Sequence, residues 1–527
     1  MNILKRAICF ILVLAFIGVA LVGCGNNNGS DETSETEKGQ NGTNSSATET
    51  ETNIYGEPSF TTTNNYESMD FEGEQITILI RNIEVNAREW GKETTEDELD
   101  EAVLMRNSAV EEALNVKMVQ ELVPDNIDSL AYATAFNNMI IQDVLSDFHY
   151  YDIAANYAYY GAYPSVRDYA ANLADPDEFP YFDFSLPCWN QAIVNNTTMN
   201  GRLHYVSGDV NLTLFDCAMV MWYNKTLYDE KKEDIDPNNM QEYALAGNWT
   251  YDELYRWASR LYEDSNGVSG KQSDDTYGYA QPGYSVCPND AYPYAFDLEL
   301  LITNPDGSHE YNIIGNNKLE EAFGKVKNLI SANGNCTDPN INHFVAGHYV
   351  FYPSLIYPGK DGNMLIREME DTYGLLPMPK YNKEQKNYGT TTQDYYTLLS
   401  VIDHSENSVP TKGKAVSAYL QLMTEESYTS VRGYYFNRII KPKYFGTDDS
   451  EGTVTNSIAL FDIIVANIEF DYWTIYSAQL NHTAWLWRTA LNDGESSVES
   501  KYLSDITKYE EAIIQTDIWL GLRKENS

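Results

Sequence analysis

Residues Asn200 to Lys225 read NGRLHYVSGDVNLTLFDCAMVMWYNK, and this stretch decides how the rest of the chain is divided. Arg202 to Val206 predicts a short strand and Gly208-Asp209 a turn. Leu214 to Tyr223 then predicts a longer, largely apolar strand bounded by Asn224-Lys225. One series of alternating strands and helices precedes the stretch and another follows it. It is therefore read as the first crossing between two lobes.

Upstream, Gln75 to Ile80 (QITILI) predicts a strand rich in β-branched residues, followed by a loop over Arg81 to Thr94 that carries Trp90. Thr95 and Glu98 have the spacing of a capping box. Leu99, Ala102, Val103, Val110, Ala113 and Leu114 recur behind them at helical intervals. Val116 to Val119 predicts a strand, Ser129 to Leu145 a helix and Tyr151 to Ala155 a third strand. Downstream, Thr250 and Glu253 form a second capping box before a helix with Leu254, Trp257, Ala258 and Leu261 on one face. The closing segment, Ser497 to Lys524, predicts a packing helix, and no internal repeat stands out. Strands alternating with amphipathic helices call for a parallel or mixed sheet covered by helices, an α/β class.

At 527 residues the chain is long enough for two buried cores. Lys5 and Arg6 precede an apolar run from Ala7 to Val22, which reads as a signal peptide over residues 1–23. Leu21-Val22-Gly23-Cys24 has the form of a lipobox, so the mature protein is expected to begin at Cys24, lipid-anchored on the outer face of the cell membrane. Residues 24–65 are dominated by Asn, Ser, Thr, Glu and Gly, too few of them large and apolar to offset the entropy of ordering. They read as a tether of roughly 40 residues spanning about 35 Å. The formal charge of -43 argues against nucleic acid and against charge-driven binding to anionic lipid. Cys188, Cys217, Cys287 and Cys336 are widely spaced with no C-x-x-C pairing. A zinc site is not expected, and the sequence does not choose among their possible disulfide pairings.

Asp264-Ser265-Asn266-Gly267 opens like a calcium loop. Val268, Ser269 and Asp275 then occupy positions where a ligand, the turn glycine and the bidentate Glu belong, so an ordinary polar turn is expected. His343 and His348 are five apart, which does not align them on one helical face. No G-x-S-x-G elbow, Walker loop or dinucleotide fingerprint occurs, so neither cofactor nor catalysis is expected.

Several segments resemble the bacterial extracellular solute-binding proteins of sugar-type ABC importers (family 1). Gly201, Tyr205, Gly208 and Asp209 followed by Tyr223-Asn224-Lys225 are similar to that family's crossing segment. Leu99, Ala102, Val103, Arg106, Asn107, Val110, Glu111, Glu112, Leu114, Asn115 and Val116 resemble its first long helix. The two most specific marks are Asn248-Trp249-Thr250-Tyr251-Asp252-Glu253, like "G-x-W-T-x-D-x-L", and Gly374 to Tyr381 with Gln385 and Tyr388, like "Y-G-x-L-P-x-P-K-Y". Where the family often has two adjacent Trp residues, this chain has Cys188-Trp189. The resemblance covers about Phe71 to Asp471 in scattered blocks.

It implies a two-lobed periplasmic-binding-protein-like fold of type II, each lobe a sheet flanked by helices, with the ligand cleft at the hinge. Lobe one is expected to comprise residues 66–206 plus 343–379, and lobe two residues 207–342 plus 380–527. The implied function is capture of a carbohydrate, an oligosaccharide for preference, and its delivery by a monomeric protein to a membrane permease. A peptide-binding transport lipoprotein is the alternative, and a surface adhesin or sensor and a glycosidase are further ones. An aromatic content of 13% suits sugar rings, whose axial hydrogens form an apolar face beside a rim of hydroxyls. Trp90, Tyr159, Trp189, Asp209 and Tyr357 are the candidate ligand residues. Trp90 and Tyr159 follow predicted strands, the end at which open α/β sheets bind ligands, and Asp209 on the crossing turn could accept a sugar hydroxyl.

Overall fold

The computed structural model describes residues 59–92, 98–124, 130–146, 149–163, 168–281, 286–356, 366–393, 396–404, 412–440 and 452–524. The signal segment, Cys24, the capping residue Thr95 and Tyr357 lie outside these residues.

The strands are, in chain order, β1 (Glu74–Asn82), β2 (Val116–Pro124), β3 (Ile153–Tyr157), β4 (Met219–Asn224), β5 (Tyr262–Glu263), β6 (Thr276–Ala280), β7 (Leu301–Thr303), β8 (His309–Tyr311), β9 (Asn335–Cys336), β10 (Tyr349–Leu355), β11 (Tyr373–Leu376), β12 (Thr390–Thr391), β13 (Thr397–Val401) and β14 (Ile468–Glu469). Two larger sheets carry the architecture, in the order β13-β3-β1-β2 and β11-β4-β10-β6-β5, with β9 also on β6. In the first sheet β1 runs parallel to β2 and β3, and β13 closes the edge antiparallel to β3. Its central strand is apolar on both faces. Ile76, Ile78 and Ile80 enter one buried cluster and Leu79 the other, as expected of a sheet with helices on either side. The expected α/β class with two helix-flanked sheets is present.

The partition of the chain differs from the expectation. Residues 343–379 do not return to the first sheet: β10 and β11 both pair antiparallel with β4 and belong to the second. The segment that does return is β13, whose Leu399 also bridges Val206. The apolar composition of β10 suits either sheet, and only pairing distinguishes them. The crossing is also shorter than read. Thr213–Asp216 forms a helical turn, because the Thr213 N–H is drawn 2.8 Å to the Glu89 carboxylate, so the strand begins at Met219. Arg202 to Val206 makes single bridges rather than a ladder. At the N-terminal end, Phe60 and Asn64, assigned to the tether, lie on the body. Phe60 meets the Tyr428 ring edge-on at 5.2 Å and Asn64 Nδ2 donates to Tyr181 O at 2.9 Å.

The two most specific sequence marks turn out to be one joint. Trp249 Nε1 donates to Pro377 O at 2.9 Å, Tyr251 N to Lys380 O at 2.8 Å and Trp249 N to the Tyr388 hydroxyl at 3.1 Å. The Tyr388 hydroxyl in turn donates to Ala244 O at 2.8 Å. Thr250 stands at the N-cap position of the helix Tyr251–Arg260, but its side chain makes no capping hydrogen bond and no capping box forms. Its extended backbone is committed to a bridge with Lys380, and the Glu253 carboxylate is taken by Tyr243 and Arg256. Trp257 is fully buried in that helix, as its spacing predicts. The closing segment is two helices, Val498–Ser504 and Ile506–Trp519, not one.

Candidate ligand-binding site

Tyr159 sits in the short helix Ala158–Gly161, which leaves the C-terminal end of β3 directly. Gly161 lets this turn press on β13, since a Cβ there would stand 3.3 Å from Leu398. Facing it from the second-sheet side is an aromatic run near the C-terminus. Asp471 caps the helix Tyr472–Ile475 by accepting from Thr474 N at 2.8 Å. His482, at φ 62, then turns the chain into Thr483–Trp485. Trp473 Nε1 donates to Thr483 Oγ1 at 2.7 Å and fixes that turn.

The outcome is a ring-on-ring stack between the two halves: Tyr159 and Trp485 lie 4.7 Å apart and 3° from parallel. The Tyr159 hydroxyl also shares a hydrogen bond with His482 Nδ1. Trp473, Trp487, Tyr294, Asp290, Arg488 and Gln393 complete a slot holding about 60 Å³. The Arg488 guanidinium lies 4.6 Å over the Trp485 ring and pairs with Asp290 at 2.5 Å. Ser477 Oγ and Trp487 Nε1, also in the slot wall, are buried without a hydrogen-bond partner, a costly state that a ligand hydroxyl could relieve. At about 60 Å³ the slot is smaller than most small-molecule sites.

Pro293, Tyr294 and Leu300 are shared between the slot and a polar cavity of about 890 Å³, within the size range of small-molecule sites. Its wall carries Asn195, Asn196, Asn200, Asp297, Asn312 and Asn316. His309 is held there by Asp517, which is completely buried. Asp517 accepts from His309 Nδ1 at 2.8 Å, from the Tyr472 hydroxyl at 3.1 Å and from Arg523 Nε at 3.0 Å.

Of the residues singled out in the sequence, Tyr159 reaches the slot. Trp189 and Asp209 line a different cavity of about 580 Å³. There the Asp209 carboxylate pairs with Arg432 at 3.1 Å and Trp189 Nε1 donates to Gln421 at 3.0 Å. Trp90 is no loop residue. It ends the helix Glu84–Trp90 and is completely buried in the first-sheet core, so Trp90 and Asp209 do not approach one cleft. Tyr357 is outside the described residues. Trp473, Trp485, Trp487 and Arg488 went unnoticed in the sequence. The density of rings between Phe470 and Trp487 was the signal available for them.

The Asp264 segment is a turn. Asp264 Oδ1 accepts from Gly267 N at 2.6 Å, and Asp275 accepts from Ser265 N and Gln272 N. Among the described residues no group of three or more His, Cys, Asp and Glu side chains is placed to hold a metal ion. Cys188, Cys217 and Cys336 are all buried. No helix among the described residues is long and apolar enough to cross a membrane.

No protein-family model and no curated protein matches the chain. Similar solved structures come from several bacteria. ABC substrate-binding protein Lmo0181 from Listeria monocytogenes, in complex with cycloalternan, is 13% identical over 84% of this chain and 99% of its own, with a TM-score of 0.47. The maltotriose binding protein of Thermus thermophilus, bound with maltotriose, is 12% identical over 83% of this chain and 100% of its own, with a TM-score of 0.46. UspC of M. tuberculosis is 16% identical over 83% and 100% respectively, with a TM-score of 0.48.

Proposed function

We propose that this chain is an extracytoplasmic carbohydrate-binding protein that captures a sugar chain between its two halves and hands it to an ABC permease. The observation that carries the reading is the Tyr159–Trp485 stack, two flat rings from opposite halves in a slot that also offers orphaned polar atoms. Aromatic platforms with a few hydrogen-bonding groups suit pyranose rings better than peptide backbones, which need rows of exposed backbone donors and acceptors. The adjoining 890 Å³ cavity, lined by Asn, Asp and His side chains, supports a ligand longer than one ring. The work is done by closure: contacts made from both halves favour the closed state, and no bond is made or broken in the ligand.

A thermal-shift screen of neutral mono- and oligosaccharides against a peptide library tests this. A sugar at a hundredfold excess over its Kd is expected to stabilise the protein by about 2.7 kcal/mol and raise its Tm by several degrees. Peptides that raise the Tm while sugars do not would replace this reading with peptide transport.

The lipobox at Leu21-Val22-Gly23-Cys24 supports a lipid anchor, with the segment from Gly25 to Pro58 spacing the body from the membrane. Cys24→Ala is expected to release the protein from the membrane fraction into the medium. Retention that only detergent reverses would show that Cys24 is not the anchor.

A further inference from the structure

Ser477 and Trp487 are each 1% exposed, and their Oγ and Nε1 atoms, in the slot wall, meet no hydrogen-bond partner among the described residues. Both residues are fixed in place. Ser477 donates its N–H to Thr474 O at 3.2 Å and accepts from His482 N at 2.8 Å, and the Trp487 ring stands edge-on to Phe323 at 5.3 Å. Other polar groups of the same wall are committed: Trp473 Nε1 to Thr483 Oγ1, the Tyr294 and Thr474 hydroxyls to Asp471, and Arg488 to Asp290. A buried donor without an acceptor costs stability, and an indole N–H can only donate. The slot therefore asks its occupant for at least one acceptor. Met219, Pro293, Leu300 and Ala484 add apolar surface, and a volume of about 60 Å³ suits a small substituent rather than a whole ligand.

We propose that the slot is a specificity pocket for the acetamido substituent of a neutral N-acetylated sugar whose ring lies in the adjoining polar cavity. This rests on the carbohydrate-capture reading above and names its ligand class. An acetamido group brings a carbonyl oxygen to accept from Trp487 Nε1 or Ser477 Oγ, an N–H that Ser477 Oγ can receive instead, and a methyl for the apolar wall. A hydroxyl supplies the acceptor but leaves that wall without contact. A carboxylate is disfavoured by charge: Arg488 is already neutralised by Asp290, and the cavity carries Asp297, Glu299, Glu469 and Asp471 against Lys318. The two spaces adjoin at Pro293, Tyr294 and Leu300, and the exposed Asn195 and Asn200 in the cavity wall offer amides to ring hydroxyls.

The test is isothermal titration of the full chain with sugars paired so that they differ only in an acetamido group or a hydroxyl at C2: triacetylchitotriose against cellotriose, N-acetylglucosamine against glucose, and N-acetylgalactosamine against galactose. The acetylated member of at least one pair is expected to bind about a hundredfold more tightly. Trp487→Phe keeps a ring but loses the donor, and Ser477→Ala loses the hydroxyl; each should narrow the preference about tenfold. Ser477→Ala also deletes an unsatisfied buried atom, so its ligand-free Tm should be no lower than wild type. Ala484→Leu fills the slot with both donors in place and should abolish the preference; it serves if Trp487→Phe fails to fold. Equal Kd values within every pair, the result if the slot holds only water, overturn the proposal and leave the carbohydrate reading standing. A preference that survives all three variants overturns the assignment to this slot. Failure of every sugar to bind removes the carbohydrate reading and this proposal together.

Discussion

Trp485→Ala is expected to weaken sugar binding by roughly thirty- to two-hundredfold while leaving the ligand-free Tm within a few degrees of wild type. A largely buried ring contributes about 2 to 3 kcal/mol through apolar contact, and each 1.4 kcal/mol is a factor of about ten in Kd. Two further losses follow from the geometry. Tyr159 would have no partner to close upon, and the Arg488 guanidinium, 4.6 Å from the ring centre, would lose the face that orients it. Trp485 is only partly buried, which is why stability should hold while affinity falls. Isothermal titration with the best sugar from the panel decides the matter, and an unchanged Kd would place the ligand outside the slot.

Trp90→Ala is expected to do the reverse. The ring is completely buried among Ile78, Ile80 and their neighbours, and truncating such a residue costs about 3 to 5 kcal/mol. Its backbone carbonyl also receives Asn107 Nδ2 at 2.7 Å and Gln120 Nε2 at 2.9 Å, so a local shift would spread to the first long helix and to β2. The midpoint of chemical denaturation should fall markedly, with Kd in the folded fraction almost unaltered. A Kd that collapses while stability holds would return Trp90 to the binding surface.

These paired variants also mark where sequence reasoning worked. The β-branched run from Gln75 to Ile80 marks a strand, the helical spacing of Leu99, Val103 and Val110 reports burial on one helix face, and the first sheet is built on both. What such patterns cannot report is which sheet a wholly apolar strand joins. β10 and β13 are both short and largely buried, and their exchange between halves is settled by pairing over long separations. Of the candidate slot, only Tyr159 was legible. Tyr159 follows a strand end, where an α/β sheet exposes loops, and it reaches the slot. Trp90 also follows a strand end, but the residues after β1 coil into a helix and turn the ring inward. Asp209 looked like a free acceptor because nothing in the local sequence points to Arg432, more than two hundred residues away. Trp485 and its neighbours belong to a segment with little alternation, so density of rings was their only mark.

The late return of β13 bears on how the molecule comes into being. β3 ends at Tyr157, yet the strand that pairs with its outer edge begins at Thr397. A polypeptide emerging amino end first presents β1, β2 and β3 long before that partner exists. The β3 edge, with Ile153, Ala154 and Ala155 buried in the finished protein, is meanwhile an unpaired apolar margin open to other chains. Loop closure over so long an interval is slow, and non-local pairing of this kind governs folding speed. Chains truncated between β3 and β13 should therefore be recovered as aggregates or proteolytic fragments, not as a soluble first half, and folding of the intact protein would be sensitive to any factor that shields exposed strand edges during synthesis.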